Sequence, residues 1–193
     1  MNLLVTLGGW IAIGVVAALV LILIIWAIAT FNKIVTLRTQ CDDGFSTIDI
    51  YLKKRYDLIP NIVETVKGYA KHESETFKAI TEARSKLAGA TTPEEKIEAD
   101  KQFSQAIRNF NMVVENYPEL KANVNFMDLQ GQLKVIEGEL AQSRKYYNAT
   151  VRVYNTKIQT FPSLIIAKLM KAKKRSMFAV ESEAERQNVK VQF

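Results

Sequence analysis

His72 is the only histidine in this 193-residue chain, and Glu73 follows it. A helical His-Glu-x-x-His run holds zinc through its two histidines and uses the glutamate as a base. Here the position four residues past His72 is Thr76, so the second ligand is missing. Cys41 is the single cysteine. There is therefore no Cys/His cluster for a transition metal and no intramolecular disulfide. A lone cysteine also favours a reducing compartment. The chain has neither a glycine-rich phosphate loop nor a nucleophile elbow. Its acidic residues are scattered over helix faces, where they solvate the surface. Asn148-Ala149-Thr150 is formally a glycosylation sequon, but it falls inside a helical pattern and is read as chance. These residues predict no catalytic group, no metal and no cofactor. An enzyme acting on lipid or cell-wall precursors would instead need a polar pocket between helices.

Binding chemistry is better represented. From Phe161 to Phe178 the chain holds Lys168, Lys171, Lys173, Lys174 and Arg175 and no acidic residue. Leu164, Ile165, Ile166, Leu169, Met170, Met177 and Phe178 are interleaved with them. At helical spacing most basic positions gather on one side and most apolar ones on the other. Such a basic amphipathic helix fits anionic lipid headgroups or an acidic partner. The competing reading is a last bundle helix with a solvated basic edge. This segment supplies most of the net charge of +6. No nucleic-acid-binding motif accompanies it, so nucleic acid is not an expected partner.

A second candidate surface surrounds Pro60. Asp57, Asn61 and Glu64 are spaced to share a helix face, with Arg55, Pro60 and Lys67 close by. They read either as a docking surface for an unidentified protein partner or as groups that cap and brace the Pro60 joint. Tyr146, Tyr147 and Tyr154, with Asn148 and Asn155, fall in a long helical pattern. Tyr147 and Tyr154 lie on its apolar stripe and read as core residues with hydrogen-bonded tips.

The elements that position these groups divide by solvent. Residues 1–32 carry no charged side chain, whereas all 26 Lys+Arg and all 20 Asp+Glu lie in residues 33–193. Trp10 to Ala29 is almost wholly Ile, Leu, Val and Ala. Twenty helical residues span about 30 Å, the thickness of a bilayer's hydrocarbon core. Trp10, Trp26 and Lys33 mark the two membrane interfaces. A cleaved signal peptide is the competing reading, since Ala27-Ile28-Ala29 resembles a cleavage site. No Lys or Arg precedes the run, however, and it is long for such a signal. Basic residues follow the helix and none precedes it, which places the N-terminus outside and the domain in the cytoplasm.

Beyond the membrane, Ile34, Leu37, Cys41, Phe45, Ile48, Leu52, Tyr56 and Ile59 recur in steps of three and four, one helical stripe. No Gly or Pro lies between Gly14 and Gly44, so the membrane helix is expected to run into the domain without a joint. Pro60 is either a kink or the first-turn proline of a new helix. A second stripe runs from Ile62 through Val66, Tyr69, Phe77 and Ile80 to Leu87. Thr92-Pro93-Glu94-Glu95 opens a third helix with a capping box. After Pro118 a stripe from Leu120 to Phe161 predicts one helix on the order of 60 Å long. The expected fold is all-α: an N-terminal transmembrane helix followed by a long antiparallel four-helix bundle. The expected divisions are a short external N-terminus at 1–9, a transmembrane helix at 10–30 and the bundle at 31–161. A basic amphipathic segment at 162–178 and a polar tail at 179–193 complete them.

Several stretches together carry a family resemblance. They include Phe31-Asn32, Leu37-Arg38, Ser46-Thr47-Ile48-Asp49 and Leu52-Lys53-Lys54-Arg55-Tyr56-Asp57-Leu58-Ile59-Pro60-Asn61. Val63-Glu64-Thr65-Val66-Lys67-Gly68-Tyr69-Ala70 and His72-Glu73 continue the pattern. Tyr117-Pro118-Glu119-Leu120-Lys121-Ala122, Leu129-Gln130, Tyr147-Asn148, Tyr154-Asn155 and Phe161-Pro162 complete it. Over residues 31–178 the chain resembles the LemA family of bacterial membrane proteins. Cys41-Asp42-Asp43 stands where that family more often has an Asn-Ala pair. The resemblance implies an N-terminal anchor, a four-helix bundle and no established enzyme activity. Some relatives are linked to membrane organisation. The expected role is a non-enzymatic scaffold in the bacterial inner membrane, in contact with the lipid bilayer and forming a homo-oligomer. The alternative is a membrane-bound adaptor that recruits a soluble protein through the Arg55–Lys67 surface.

Overall fold

The computed structural model of the chain describes residues 2–178, with side chains from residue 9 onward. The expected polar tail at 179–193 lies outside the described residues. The described elements are all helices: α1 (Asn2–Lys67), α2 (Ser74–Gly89), α3 (Pro93–Val114), the single turn α4 (Pro118–Lys121), α5 (Val124–Gln159) and α6 (Ser163–Leu169). The chain divides into two compact units, Met1–Asp42 with Thr150–Arg175, and Asp43–Ala149 with Ser176–Phe193.

In the first unit, every side chain of α1 from Gly9 through Ile25 is exposed. Among the described residues α1 is the one helix long and apolar enough to cross a membrane. Burial begins at Thr30 and continues at Ile34, Leu37 and Cys41. These are the first members of the expected stripe, and their steps of four, three and four place them on one helix face. On α5 the buried side chains of this unit are Val151, Tyr154 and Ile158, and on α6 they are Ser163 and Ala167. The Ser163 hydroxyl lies 2.7 Å from the Lys157 carbonyl and 2.9 Å from that of Thr160. It supplies a partner to the Lys157 carbonyl in the last turn of α5, while the Thr160 carbonyl also accepts from the Leu164 N–H at 2.8 Å.

In the second unit, α1 and α5 meet at Phe45–Tyr147, Tyr51–Glu139 and Arg55–Glu137. Just past the helix ends, Asn123 reaches Tyr69. The α5 numbers fall as the α1 numbers rise, so these two helices run antiparallel. Phe77–Phe110 and Lys86–Gln102 show the same for α2 and α3. A β-carbon on Gly44 would stand 3.4 Å from the Tyr146 ring and 3.6 Å from the Tyr147 backbone. These are ordinary van der Waals distances, so α1 and α5 pack here without needing the glycine. The core contains Ile48, Leu52, Ile59, Ile62, Phe103, Ile107, Phe110, Phe126 and Leu140, all buried. The third helix starts as expected. The Thr92 side chain accepts from the Glu95 N–H, the Glu95 carboxylate accepts from the Thr92 N–H, and Pro93 opens the first turn.

Pro60 lies inside α1, which continues to Lys67; the reading of a new helix starting there is set aside. Proline has no N–H for the carbonyl four residues earlier, which belongs to Tyr56. That carbonyl accepts instead from Arg84 Nε of α2 at 3.1 Å. The Arg84 guanidinium also lies over the Tyr56 ring, 3.8 Å from its centroid. A side chain from a neighbouring helix thus repairs the proline defect.

Three sequence expectations are corrected. The Ile62–Leu87 stripe is split, since α1 ends at Lys67 and α2 starts at Ser74. Tyr69 falls in the turn between them and is exposed. The last bundle helix runs from Val124 to Gln159 rather than from residue 119, because the Asn123 side chain accepts from the Phe126 N–H at 3.0 Å and caps a fresh start. It is thus about 54 Å long. The basic helix expected across 162–178 ends at Leu169, and residues 172–178 have no regular secondary structure.

Candidate functional site

Ile165 and Leu169 are four residues apart on α6 and share a face, and Phe161 lies in the turn that precedes it. Phe161, Ile165 and Leu169 are 79%, 51% and 76% exposed. Lys168 on α6 and Lys171, Lys173 and Lys174 beyond it are also exposed. All seven belong to the unit that contains the apolar half of α1. Large, mostly exposed apolar side chains beside lysines, with no carboxylate among residues 161–178, are suited to an anionic, partly apolar surface. Trp10 and Lys33 of α1 are exposed and Trp26 is half-buried.

Arg175 departs from the group in which the sequence placed it. It is half-buried and pairs with Asp42 at 2.7 Å. The chain around it is fixed by α5 side chains. In the first unit the Asn155 side chain donates to the Arg175 carbonyl and accepts from the Arg175 N–H, each at 2.9 Å. The Tyr154 hydroxyl donates to the Lys173 carbonyl at 3.1 Å. In the second unit Asn148 bonds the Phe178 carbonyl and N–H in the same way, each at 2.9 Å. There the Tyr147 hydroxyl donates to the Ser176 carbonyl at 3.1 Å. Phe178 is buried against Tyr147 and Phe45, with the Arg144 guanidinium 5.5 Å from its ring centroid. α6 itself ends locally: Lys171 takes a φ of 51°, and the N–H groups of Lys171 and Ala172 close on the carbonyls of Lys168 and Ala167, each at 3.0 Å.

The Pro60 surface is also divided by the structure. Asp57, Asn61, Glu64 and Lys67 are exposed and Pro60 is half-buried. Asp57 pairs with Lys53 at 2.7 Å and Glu64 with Lys67 at 2.6 Å, both within α1. Arg55 does not belong to any surface: its exposure is 0%. It sits in the α1 apolar series at Ile48, Leu52, Arg55, Ile59, and the core surrounds it. Its guanidinium pairs with Asp100 of α3, and reaches Glu137 of α5 at 2.9 Å and Ser104 at 3.1 Å. Arg144 pairs with the second oxygen of the Asp100 carboxylate. The Phe103 ring lies under Arg55, 4.9 Å away. Two arginines and two carboxylates make this centre neutral. Burial pushes the Asp100 carboxyl up, while Arg55 and Arg144 pull it down. Sequence reasoning missed Asp100, Ser104, Glu137 and Arg144. The available signal was an arginine at a core position of the stripe, since an arginine buried there requires carboxylates from other helices.

Among the described residues no group of three His, Cys, Asp or Glu is placed to hold a metal ion. The Cys41 thiol is buried, and burial pushes its pKa up, the opposite of what a nucleophilic cysteine needs. A cleft of about 720 Å³ opens beside α1, with Ile50, Leu52 and Leu87 in its lining and Lys53, Lys54 and Lys96 among its polar groups.

Comparison with known proteins adds a family. Residues 44–193 match the LemA family. Protein LemA of Metamycoplasma hominis is 26% identical to the chain over 162 residues, which span 82% of this chain and 72% of that protein.

Proposed function

We propose, from the premise that this chain belongs to the LemA family, that it is a non-enzymatic scaffold anchored in the bacterial inner membrane by the first part of α1. In this reading the N-terminus lies outside and the helical domain in the cytoplasm, where the protein associates with copies of itself and organises the membrane. Lys33 and Arg38 directly after the apolar run support the orientation.

The observation that carries the reading is the set of exposed Phe161, Ile165 and Leu169 side chains with the nearby lysines, in the same unit as the apolar helix. Burying three such side chains contributes roughly 1.5–3 kcal/mol each, and each lysine near an anionic leaflet about 1 kcal/mol. The apolar helix alone retains the protein in the bilayer. These side chains therefore act on orientation, fixing how the domain meets the leaflet.

The test is an environment-sensitive dye on an Ile165→Cys variant in a Cys41→Ala background, in full-length protein reconstituted into vesicles. Emission is expected to shift blue in vesicles with anionic lipid and to return towards the aqueous value when Lys168, Lys171, Lys173 and Lys174 become glutamine. A dye that stays in water with every lipid removes the leaflet contact. Molecular mass in gentle detergent tests self-association, and a strict monomer removes that part.

A second reading, the adaptor, is favoured by the exposed Asp57, Asn61 and Glu64 face on α1. Crosslinking in cells separates the two: self-crosslinks support the scaffold, and one foreign band at this face supports the adaptor.

A further inference from the structure

The outward face of a bundle helix is ordinarily polar or charged. On α5 it is not. Val124, Met127, Gly131, Val135, Gly138 and Gln142 follow one another in steps of three and four, and all are exposed. At helical spacing they lie within about 40° of one line through Gly131. No charged side chain falls in that band between Val124 and Gln142. Val124, Met127 and Val135 are each more than half exposed. The face lies wholly in the second unit, and Phe126, Leu133 and Leu140 on the opposite side of the helix are buried.

Charge is sorted along the two flanks of this line. Asp128 and Glu139 fall about 60–80° to one side, and Lys134 and Lys145 about 40–60° to the other. All four are exposed. Asp128 accepts from Gln132 at 2.8 Å and Glu139 from Tyr51 at 3.2 Å, and both donors are neutral. Each lysine follows its acid by the same interval along the helix. The surface is also hollow beside Gly131. One hollow of about 650 Å³ opens towards Ile107 and Asn111 of α3, and another of about 530 Å³ lies on the side of Asp128 and Gln132. Met127 and Gly131 line both.

We propose that this face of α5 docks on the same face of a second copy of the chain, with the two α5 helices side by side and parallel. The inference rests on the self-association proposed above and names its contact. Parallel packing about a two-fold axis along the helices sets the acidic flank of each copy against the basic flank of the other. Asp128 then meets Lys134 of the other copy, and Glu139 meets Lys145. Both pairs have the same offset of about 9 Å along the axis, which a lysine leaning towards its helix N-terminus spans. Antiparallel packing sets acid against acid and base against base. A face that complements itself in one direction is the property of a symmetric pair, and it selects a second copy over an unrelated partner. Met127 and Val135 of each copy enter the hollows beside Gly131 of the other, as knobs enter holes. Anchoring in one bilayer keeps copies at high effective concentration, which offsets the modest area of one helix pair.

The experiment reads the dimer yield of full-length protein, sparsely reconstituted into vesicles at low salt, by bismaleimide crosslinking of Val124→Cys in a Cys41→Ala background. Parallel packing holds residue 124 of both copies at one height, so crosslinked dimers are expected. The exposed α2 position in Lys78→Cys is expected to give several-fold fewer. Asp128→Lys and Lys134→Asp are each expected to lower the Val124→Cys yield several-fold, because each sets like charges together. Both changes in one chain return opposite charges to the contact and are expected to restore the yield. A β-carbon on Gly131 meets nothing within the chain, and arginine is the better helix former. Gly131→Arg is therefore expected to abolish the dimer without lowering the unfolding temperature. A dimer indifferent to these changes, or one that the double variant fails to restore, overturns this contact and leaves self-association standing. A natural chain that is strictly monomeric by mass in mild detergent overturns both. Links from residue 124 to a foreign protein alone, in cells, overturn the pairing of copies and give the face to that partner.

Discussion

Asp100 joins two largely buried guanidiniums in the second unit. It is almost fully buried, and its two oxygens face Arg55 and Arg144. Asp100→Asn keeps the shape and leaves two guanidiniums without their shared counter-charge. Breaking a buried pair in this way costs about 3–5 kcal/mol, so urea unfolding in detergent is expected to show a loss of that order. Glu137, with its side chain 37% exposed, is solvated on one side, and Glu137→Gln is expected to cost about 1 kcal/mol or less. Equal losses for the two variants would contradict this account. At the start of α3, the Glu95 carboxyl is held below its ordinary value by the N–H groups of Thr91 and Thr92 and the Thr91 hydroxyl. A lowered carboxyl stabilises the fold above its unfolded pKa, and the contribution is lost as pH falls through the folded value. The stability difference between the natural chain and Glu95→Ala is therefore expected to be full at pH 7 and to shrink below about pH 4.5, the ordinary value. A difference that grows on acidification would reverse the assignment.

Helix defects in this protein, and the segment beyond its last helix, are served by side chains from other helices. Arg84 of α2 serves the Tyr56 carbonyl that Pro60 leaves without a donor. Arg84→Ala is expected to cost about 1 kcal/mol, and less in a Pro60→Ala background, where the alanine N–H serves the same carbonyl. A double-mutant cycle measured by thermal unfolding checks this, and strict additivity would show that the two act independently. Asn155 has the corresponding role for the segment after α6. Asn155→Ala removes two bonds to the Arg175 main chain and is expected to speed trypsin cleavage at Lys171, Lys173 and Lys174 by an order of magnitude or so, through local opening. Unchanged cleavage would show that the Phe178 anchorage alone holds the segment. The Thr92-Pro93-Glu95 start was legible in the sequence because a capping box is local: its donors and acceptors lie within four residues. The end of α6 was not legible, because its left-handed cap position is filled by Lys171 and not by the glycine that would mark it, and the side chains that hold the segment beyond it lie on α5, about twenty to thirty residues away.

At the scale of the whole chain, the apolar part of α1 is exposed from Gly9 through Ile25, which is compatible with a single-pass membrane anchor. The full-length protein is expected to stay in the membrane pellet after alkaline carbonate washing, and a chain lacking residues 1–30 to be released. Release of both would restore the reading of a removable leader. Trypsin added to intact spheroplasts is expected to spare the helical domain and to digest it in inverted vesicles. The sequence alone determined the helical class, the apolar span, the stripe from Ile34 to Ile59 and the family, since each is written in periodicity or in short local patterns. Only the tertiary structure decided the fate of Arg55 and Arg175. Both look like surface cations in the chain, yet Asp100 lies forty-five residues from the first and Asp42 more than a hundred from the second. Charge type is local information, whereas desolvation and pairing depend on which distant carboxylate the fold brings within hydrogen-bond reach.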